Sequence, residues 1–436
     1  MKKIFIILSA IVLLTGGCKK EYQNPNAPTQ DEVFSSADGM TRLIVGLKQR
    51  FAVNTLAVSS VYGAISASAL TTREVAVLNA GNADLAQLEI GGSNVAPNNG
   101  LISGLWTTTN IINSEAQKLI DNASKIGDVN YRNAVIIYAH LYKAMALGTL
   151  STFWERVPIN AGANAQFSTR NEALQAAVKL LDDASTLLQN NPVPAAFTSA
   201  VGGEIDLRNT LLALSARYNM MLLNNDQAIS KASAVNLASR SVFFYNNLNP
   251  NPVFRSSLIN NNTYGIRTNP SFGLTGDLAP NPNDKRIAFH LTKNPANDPI
   301  GPNGSGFFKS DATAIPIYLP GEMLLIQAEA YARKGDLVNA VLFLNRVLTK
   351  KPTEDAFGIG ADLPPYAGPI TQAAILQEIY KNRVIELYML GLKLEDSRRF
   401  GRPGPGTPNA ERSRNFYPYP QQERDGNTNT PGDPTI

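Results

Sequence analysis

Cysteine and histidine are scarce in this chain, and their scarcity excludes several kinds of protein. The 436 residues include one cysteine, Cys18, and two histidines, His140 and His290. A single cysteine cannot form an intramolecular disulfide or supply a thiolate cluster for a metal ion. The two histidines lie far apart in the sequence, which argues against a histidine-rich metal site. We therefore expect neither a metal site nor a cofactor.

Charged residues are also few, and the two signs nearly balance. They make up 17% of the chain, and 39 Lys and Arg against 35 Asp and Glu give a formal net charge of +4. A nucleic-acid-binding protein normally carries a clustered basic face, so this balance argues against such a function. The hydrophobic content of 44% is sufficient for a large core and is unlike that of a disordered chain.

The longest apolar run stands at the N-terminus and is too short to span a bilayer. Met1, Lys2 and Lys3 precede an apolar run from 4 to 14, and Cys18 follows Gly16 and Gly17. This order is typical of a signal peptide and resembles a bacterial lipobox. We predict that residues 1–17 are a cleaved lipoprotein signal peptide. An ordinary secretory peptide with an incidental cysteine is the alternative.

Acylation of Cys18 would anchor the protein to a membrane, because several acyl chains bury enough methylene groups for stable attachment. The residues that follow are polar and include Pro25 and Pro28, which favour an extended chain. We predict that residues 18–34 are a lipidated tether and that residues 35–436 form one domain.

The body of the chain has a predominantly helical pattern. Met40, Ile44, Leu47 and Phe51 recur at helical spacing and predict an amphipathic helix. A repeat unit can also be recognised by its spacing. It consists of Ala328, Tyr331, Gly335, Ala340, Leu344, Val347 and Pro352. A second pair with the same separation, Ala216 and Ala228, predicts two tetratricopeptide-like helix pairs separated by long insertions.

Two regions, 54–104 and 241–310, interrupt the helical pattern. The second contains 13 Asn, 8 Pro and 6 Gly, which are typical of turns. Loops of this length inside a compact body are usually functional or disordered. We predict that both regions are irregular loops, and because aromatic residues are interleaved with the turn formers in the second, we predict that the second is ordered and packed.

Three stretches together resemble one family. They are the repeat unit around 327–345, the segment 383–401 with Arg383, Glu386, Asp396 and Arg399, and the closing segment 417–423. The chain resembles the SusD/RagB family of nutrient-binding outer-membrane lipoproteins from Bacteroidetes. The sequence departs from the family pattern at five positions, where we expect weaker buried ion pairs: Gln117, Lys143, Asn382, Leu390 and Lys393.

The resemblance implies a mostly α-helical, SusD-like scaffold with long irregular ligand-binding loops. It also implies a non-catalytic protein that binds a glycan or another nutrient oligomer. The resemblance does not decide between a glycan and a peptide as the ligand. The implied partner is a SusC-like TonB-dependent transporter. The implied location is the outer membrane, with the protein facing the cell surface.

One group of charged residues could carry chemistry. Arg383, Glu386, Asp396 and Arg399 could be a catalytic carboxylate pair with cationic helpers, but we favour an ion pair network of the scaffold. Arg383 and Glu386, three residues apart on one helix, are expected to face each other. We expect His140 to be a core residue, and Trp106 and Trp154 to be packing residues.

The ligand contacts are predicted to come from the two irregular regions. Sugar faces stack on aromatic rings, and amide groups pair with hydroxyls. We therefore select Tyr245, Tyr264 and Phe272 for stacking and Arg73 and Asn98 for polar contacts. The alternative for the three rings is that they fill the core of the loops.

Two other functions remain open. A lipid-anchored, α-helical carbohydrate-active enzyme would need two carboxylates roughly 5–10 Å apart in one cleft. The acids to inspect for this arrangement are Asp206, Asp277, Asp284 and Asp311. A repeat-type adapter would instead need an exposed helical face that binds another protein.

Overall fold

The computed structural model describes residues 29–53, 58–255, 263–266, 271–291 and 306–436. The signal peptide, Cys18 and most of the tether lie outside the described residues, so they stay predictions. Most of the second irregular region lies within the described residues.

Helices dominate the described residues, and the mostly α fold class is confirmed. Sixteen α-helices occur there: α1 Gln30–Phe34, α2 Ala37–Ala52, α3 Ser60–Thr71, α4 Ala83–Ile90, α5 Gly100–Asn122, α6 Val129–Phe153, α7 Arg170–Asn190, α8 Ala195–Val201, α9 Leu207–Met221, α10 Asn225–Ser233, α11 Lys285–His290, α12 Pro320–Arg333, α13 Leu337–Leu348, α14 Gln372–Glu386, α15 Lys393–Arg399 and α16 Gln421–Gly426.

Helix α6 lies at the centre of the body, between α5 and α7. The Asp128 side chain accepts a hydrogen bond from the backbone N–H of Tyr131 and caps the helix. Among the described residues, α6 is the one helix long and apolar enough to cross a membrane, but 89% of its apolar stretch is buried inside the protein. A helix that is apolar on every side is typical of a core.

The two predicted repeat-like pairs are the antiparallel helices α12–α13 and α9–α10. Ala328 and Ala340 are fully buried in the first pair, and Ala216 and Ala228 are fully buried in the second. Small side chains at these positions allow the helix backbones to approach closely. Gly335 turns the chain between α12 and α13 with a φ of 83°, which favours glycine.

Three two-stranded antiparallel sheets attach connecting segments to the helices. Each strand has only two or three residues. The pairs are β1 Val75–Val77 with β5 Tyr264–Ile266, β2 Arg156–Val157 with β3 Ser168–Thr169, and β4 Val242–Phe243 with β6 Ile315–Pro316. The β1–β5 pair joins the two regions that the sequence predicted to be irregular.

The prediction of an irregular region at 54–104 is wrong for much of its length. Helix α3 is almost entirely buried, and α4 and the start of α5 also lie in this range. Helix α3 consists mainly of small and hydroxyl residues buried on all sides, so it has no apolar stripe to signal a helix. The tether also ends earlier than predicted, because Thr29 and Glu32 form a capping box that begins α1.

Candidate functional site

An ion pair network is buried between α12, α14 and α15. Asp396 accepts hydrogen bonds from Arg383 Nε at 2.9 Å and Arg399 Nη2 at 2.7 Å. Arg399 also binds Glu329 at 2.8 Å. Burial acts to raise the pKa of Asp396, but the two guanidinium groups outweigh it and hold the pKa below its ordinary value. Asp396 therefore stays ionised inside the core.

Glu386 belongs to a neighbouring set of ion pairs and does not face Arg383, so that expectation is wrong. Its carboxylate binds Arg286 at 3.0 Å and Lys350 at 2.8 Å. Arg286 is itself held by Asp284 at 2.7 Å and by the Asn382 amide oxygen at 2.7 Å. Contacts between elements satisfy these buried groups better than a contact along one helix would.

Three of the four acids considered for an enzyme have structural partners. Asp206 caps α9 by accepting from the backbone N–H of Asn209. Asp311 binds Arg255, and Asp284 binds Arg286. Asp277 lies exposed in a short 3-10 turn. Among the described residues, no cluster of three or more His, Cys, Asp and Glu side chains could hold a metal ion.

The three predicted stacking residues are buried, so that prediction is wrong and the loop-core alternative describes them. The Tyr245 hydroxyl donates to the Ala52 carbonyl at 3.3 Å, and Tyr264 pairs with Ser66 at 2.9 Å. The Phe272 ring lies edge-on to Tyr388, 5.0 Å between centroids. Long connections need apolar anchors to lie on a scaffold, and these rings supply them.

Arg73 is exposed at a turn of unusual backbone geometry. Arg73, Phe272 and Met389 all have positive φ, between 54° and 60°, which non-glycine residues rarely adopt. Glu74 is buried beside them, and its Oε1 accepts from the Met389 N–H at 3.4 Å. Burial raises the pKa of Glu74 to about 7 against the attraction of Lys393. Strained backbone of this kind is concentrated at functional sites.

The C-terminal segment packs against α5 and α6 through aromatic residues. Trp106 and Trp154 are buried and meet edge to face, 4.8 Å between centroids. The Trp106 indole N–H donates to Glu423 at 3.0 Å, and that of Trp154 donates to the Pro418 carbonyl at 3.1 Å. Helix α16 is thereby placed beside the start of α5. His140 is also largely buried, and burial lowers its pKa.

Two adjoining grooves lie where α5 meets α16. The first groove has a volume of about 490 Å³, and its lining consists of Val58, Pro97, Asn98, Gly100, Ser103, Gly104, Thr107, Thr108, Gln421 and Gln422. The second groove has a volume of about 330 Å³, and its lining consists of Trp106, Thr107, Asn110, Ile111, Ser114, Pro158, Ala161, Gly162, Ala165, Gln422 and Glu423. Thr107 and Gln422 line both grooves.

The grooves offer neutral hydrogen-bonding groups. The Asn98, Thr107 and Gln422 side chains are exposed and make no hydrogen bond to another described residue. Glu423 is the only charged residue in the two linings, and it is engaged by Trp106 and Asn427. Asn98 was predicted from the sequence, whereas Thr107 and Gln422 were missed. Their helical positions gave no sign that they face a groove.

No model of a protein family matches the chain, and neither does any curated protein sequence. Several solved structures do match the chain. A SusD homolog from Bacteroides thetaiotaomicron has a TM-score of 0.68 at 13% identity, over 94% of this chain and 99% of its own. A SusD-like carbohydrate binding protein from Bacteroides vulgatus has a TM-score of 0.68 at 14% identity, over 90% and 97%. The chain has the SusD-like fold.

In this SusD-like fold, the departures from the family pattern have partners of their own. The Lys143 ammonium, where an arginine is common, donates to Gln117 and to Asn160, the latter at 2.8 Å. Burial lowers the pKa of Lys143 to about 8, because both of these partners are neutral amides. Lys393 donates to the Phe272 carbonyl at 2.8 Å. The hydrogen bonds of these lysines to neutral groups attach neighbouring segments to the scaffold.

Proposed function

We propose that this chain is a non-catalytic binding protein, lipid-anchored at the outer membrane and facing the cell surface, that captures a glycan and delivers it to a SusC-like TonB-dependent transporter. The observation that carries the proposal is the pair of grooves lined by free amides and hydroxyls. The fold supports it, because a solved structure of the same fold is a SusD-like carbohydrate binding protein.

Neutral polar linings suit sugar hydroxyls. An amide side chain presents both donors and acceptors, and each sugar hydroxyl can act as either. The lack of a free charge in the two linings favours an uncharged glycan over an acidic one. Because Gln422 and Thr107 border both grooves, an oligomer could place one unit on each side of them.

Calorimetry with a panel of neutral oligosaccharides, acidic oligosaccharides and peptides tests the site. We expect a neutral oligosaccharide to bind and Gln422→Ala to weaken its affinity 3- to 10-fold, about the contribution of one hydrogen bond. Gln49→Ala is the matched control, because Gln49 is exposed on α2 and has no hydrogen bond to its side chain among the described residues. Equal affinity in both variants, or tighter binding of a peptide, would contradict the assignment.

The anchor and the transporter rest on the sequence and on the family resemblance. Incorporation of a labelled fatty acid in cells should be lost in Cys18→Ser. Surface exposure should appear as digestion of the intact protein by protease added to whole cells. A transporter encoded nearby should co-purify from detergent-solubilised membranes. Labelling that persists in Cys18→Ser would contradict the anchor, and the absence of a co-purifying transporter would contradict the delivery step.

A second function, a protein adapter, is favoured by one observation on the α12–α13 pair. Val338 is 81% exposed and Leu342 is 54% exposed, one turn apart on α13. Paired apolar residues on an outer helix face offer a contact for another protein. If Val338→Lys abolishes co-purification of a protein partner while glycan binding is unchanged, this face is an interaction surface in addition to the grooves.

A further inference from the structure

A third pocket, distinct from the two grooves, opens between α6, α7 and α9. Its volume is about 490 Å³, within the range of small-molecule sites. It is formed where the end of α7, the connection to α9 and the end of α10 come together. The walls are largely apolar, and the main contributors are Tyr138, Leu188, Val193, Ile205, Leu207 and Leu212.

Three polar groups in this apolar pocket have no hydrogen-bond partner among the described residues. They are the Tyr138 hydroxyl, the Gln189 amide and the Arg208 guanidinium. Tyr138 is only 4% exposed, and burial raises its pKa to about 12, so its hydroxyl is a neutral donor. These three groups line the pocket and are available to hydrogen-bond a water or a ligand there.

Arg208 makes no direct ion pair with a described residue, although its charge helps to lower the pKa of Asp206, two residues before it. Asp206 is held by Asn209 and Ser239, and Asp182 is held by Lys231 at 2.8 Å. Arg208 lies in the first turn of α9, behind the Asp206 cap, and its side chain is exposed and lines the pocket. A cation and a neutral donor beside apolar walls are complementary to an anionic group attached to an apolar body.

We propose that this pocket binds a monoanionic amphiphile, a molecule with one carboxylate or sulfonate head and an apolar chain or ring. The head would lie against Arg208 with Tyr138 as a further donor, and the apolar body would lie against Leu188, Val193 and Leu212. No lining residue is shared with the grooves, so this site is independent of the proposed glycan site.

The test uses the full-length chain carrying Cys18→Ser, so that no acyl anchor interferes. The probe is 8-anilinonaphthalene-1-sulfonate, whose fluorescence rises in apolar surroundings. We expect saturable binding, displacement by dodecanoate, and little displacement by dodecyltrimethylammonium, which has the same chain and a cationic head. Equal displacement by both would overturn the proposal, because it would indicate simple apolar adsorption. Failure of the probe to bind would also overturn it.

Substitutions of pocket residues then test whether dodecanoate binds in this pocket. Arg208→Gln should weaken dodecanoate about tenfold, because a hydrogen bond to a charged group is lost, whereas Arg346→Gln on α13 should have no effect. Leu212→Trp should fill the pocket and abolish binding. If Leu212→Trp does not fold, the dodecanoate affinities of the two single variants Tyr138→Phe and Arg208→Gln test the site instead. Unchanged dodecanoate affinity in both of these folded variants would overturn the proposal, whatever the grooves bind.

Discussion

The ion-paired core and the grooves contain similar polar residues that are used in opposite ways. In the core around Asp396 and Glu386, buried charges are paired with opposite charges from other helices. In the grooves, Asn98 and Gln422 are exposed and lack a partner among the described residues. Polar groups that already bind one another hold the fold together, whereas groups left without a partner are available for a ligand.

Removing a carboxylate from the core should give the largest effect. Asp396→Ala leaves Arg383 and Arg399 buried with one partner fewer, and breaking a buried pair in this way typically costs about 3–5 kcal/mol. We expect this loss in the free energy of unfolding, measured by urea denaturation. Asp38→Ala is the control: its pair with Arg42 is exposed, and it should cost about 1 kcal/mol or less. Equal costs would show that the network does not support the fold.

Truncating a loop anchor should be nearly as costly as breaking the core. Tyr264→Ala removes a buried ring and should destabilise the protein by about 3 kcal/mol, while Tyr264→Phe loses only the hydrogen bond to Ser66 and should cost about 1 kcal/mol. The interpretation of Tyr264 as a ligand contact predicts instead a small stability cost. Thermal and urea unfolding of both variants would distinguish the two, and a negligible cost for Tyr264→Ala would restore the earlier interpretation.

The spacing of residues predicted the helical scaffold but not the surface that each loop residue faces. Ala328 and Ala340 follow a repeat whose physical requirement, close helix crossing, depends only on local spacing. The burial of Tyr264 depends on Ser66 and on the β1–β5 pairing, which are far away in the sequence. The same limit explains why Gln422 was missed, because its exposure depends on where aromatic packing places α16.

The buried carboxyl of Glu74 makes the stability of the core depend on pH, which can be measured. Its pKa is about 7 in the folded protein, above its ordinary value, so the folded state binds this proton more tightly than the unfolded state does. The contribution of Glu74 to stability is therefore lost as the pH rises from about 4.5 to 7. Relative to wild type, Glu74→Gln should gain stability over that interval, by at most roughly 3 kcal/mol. A constant difference between the two proteins at pH 4.5 and pH 8 would show that Glu74 does not titrate in this way.

Asn98→Ala should have the smallest effect on stability and the most informative effect on binding. The side chain is exposed and makes no hydrogen bond within the described residues, so its removal should change the free energy of unfolding by less than about 0.5 kcal/mol. Asn247→Ala is the matched control, because Asn247 is likewise exposed and lies outside both grooves. If only Asn98→Ala weakens glycan binding, the unpartnered amides of the grooves are the recognition groups. If both variants bind normally, Asn98 is not a recognition group, and exposure without a partner does not by itself mark a ligand contact in this protein.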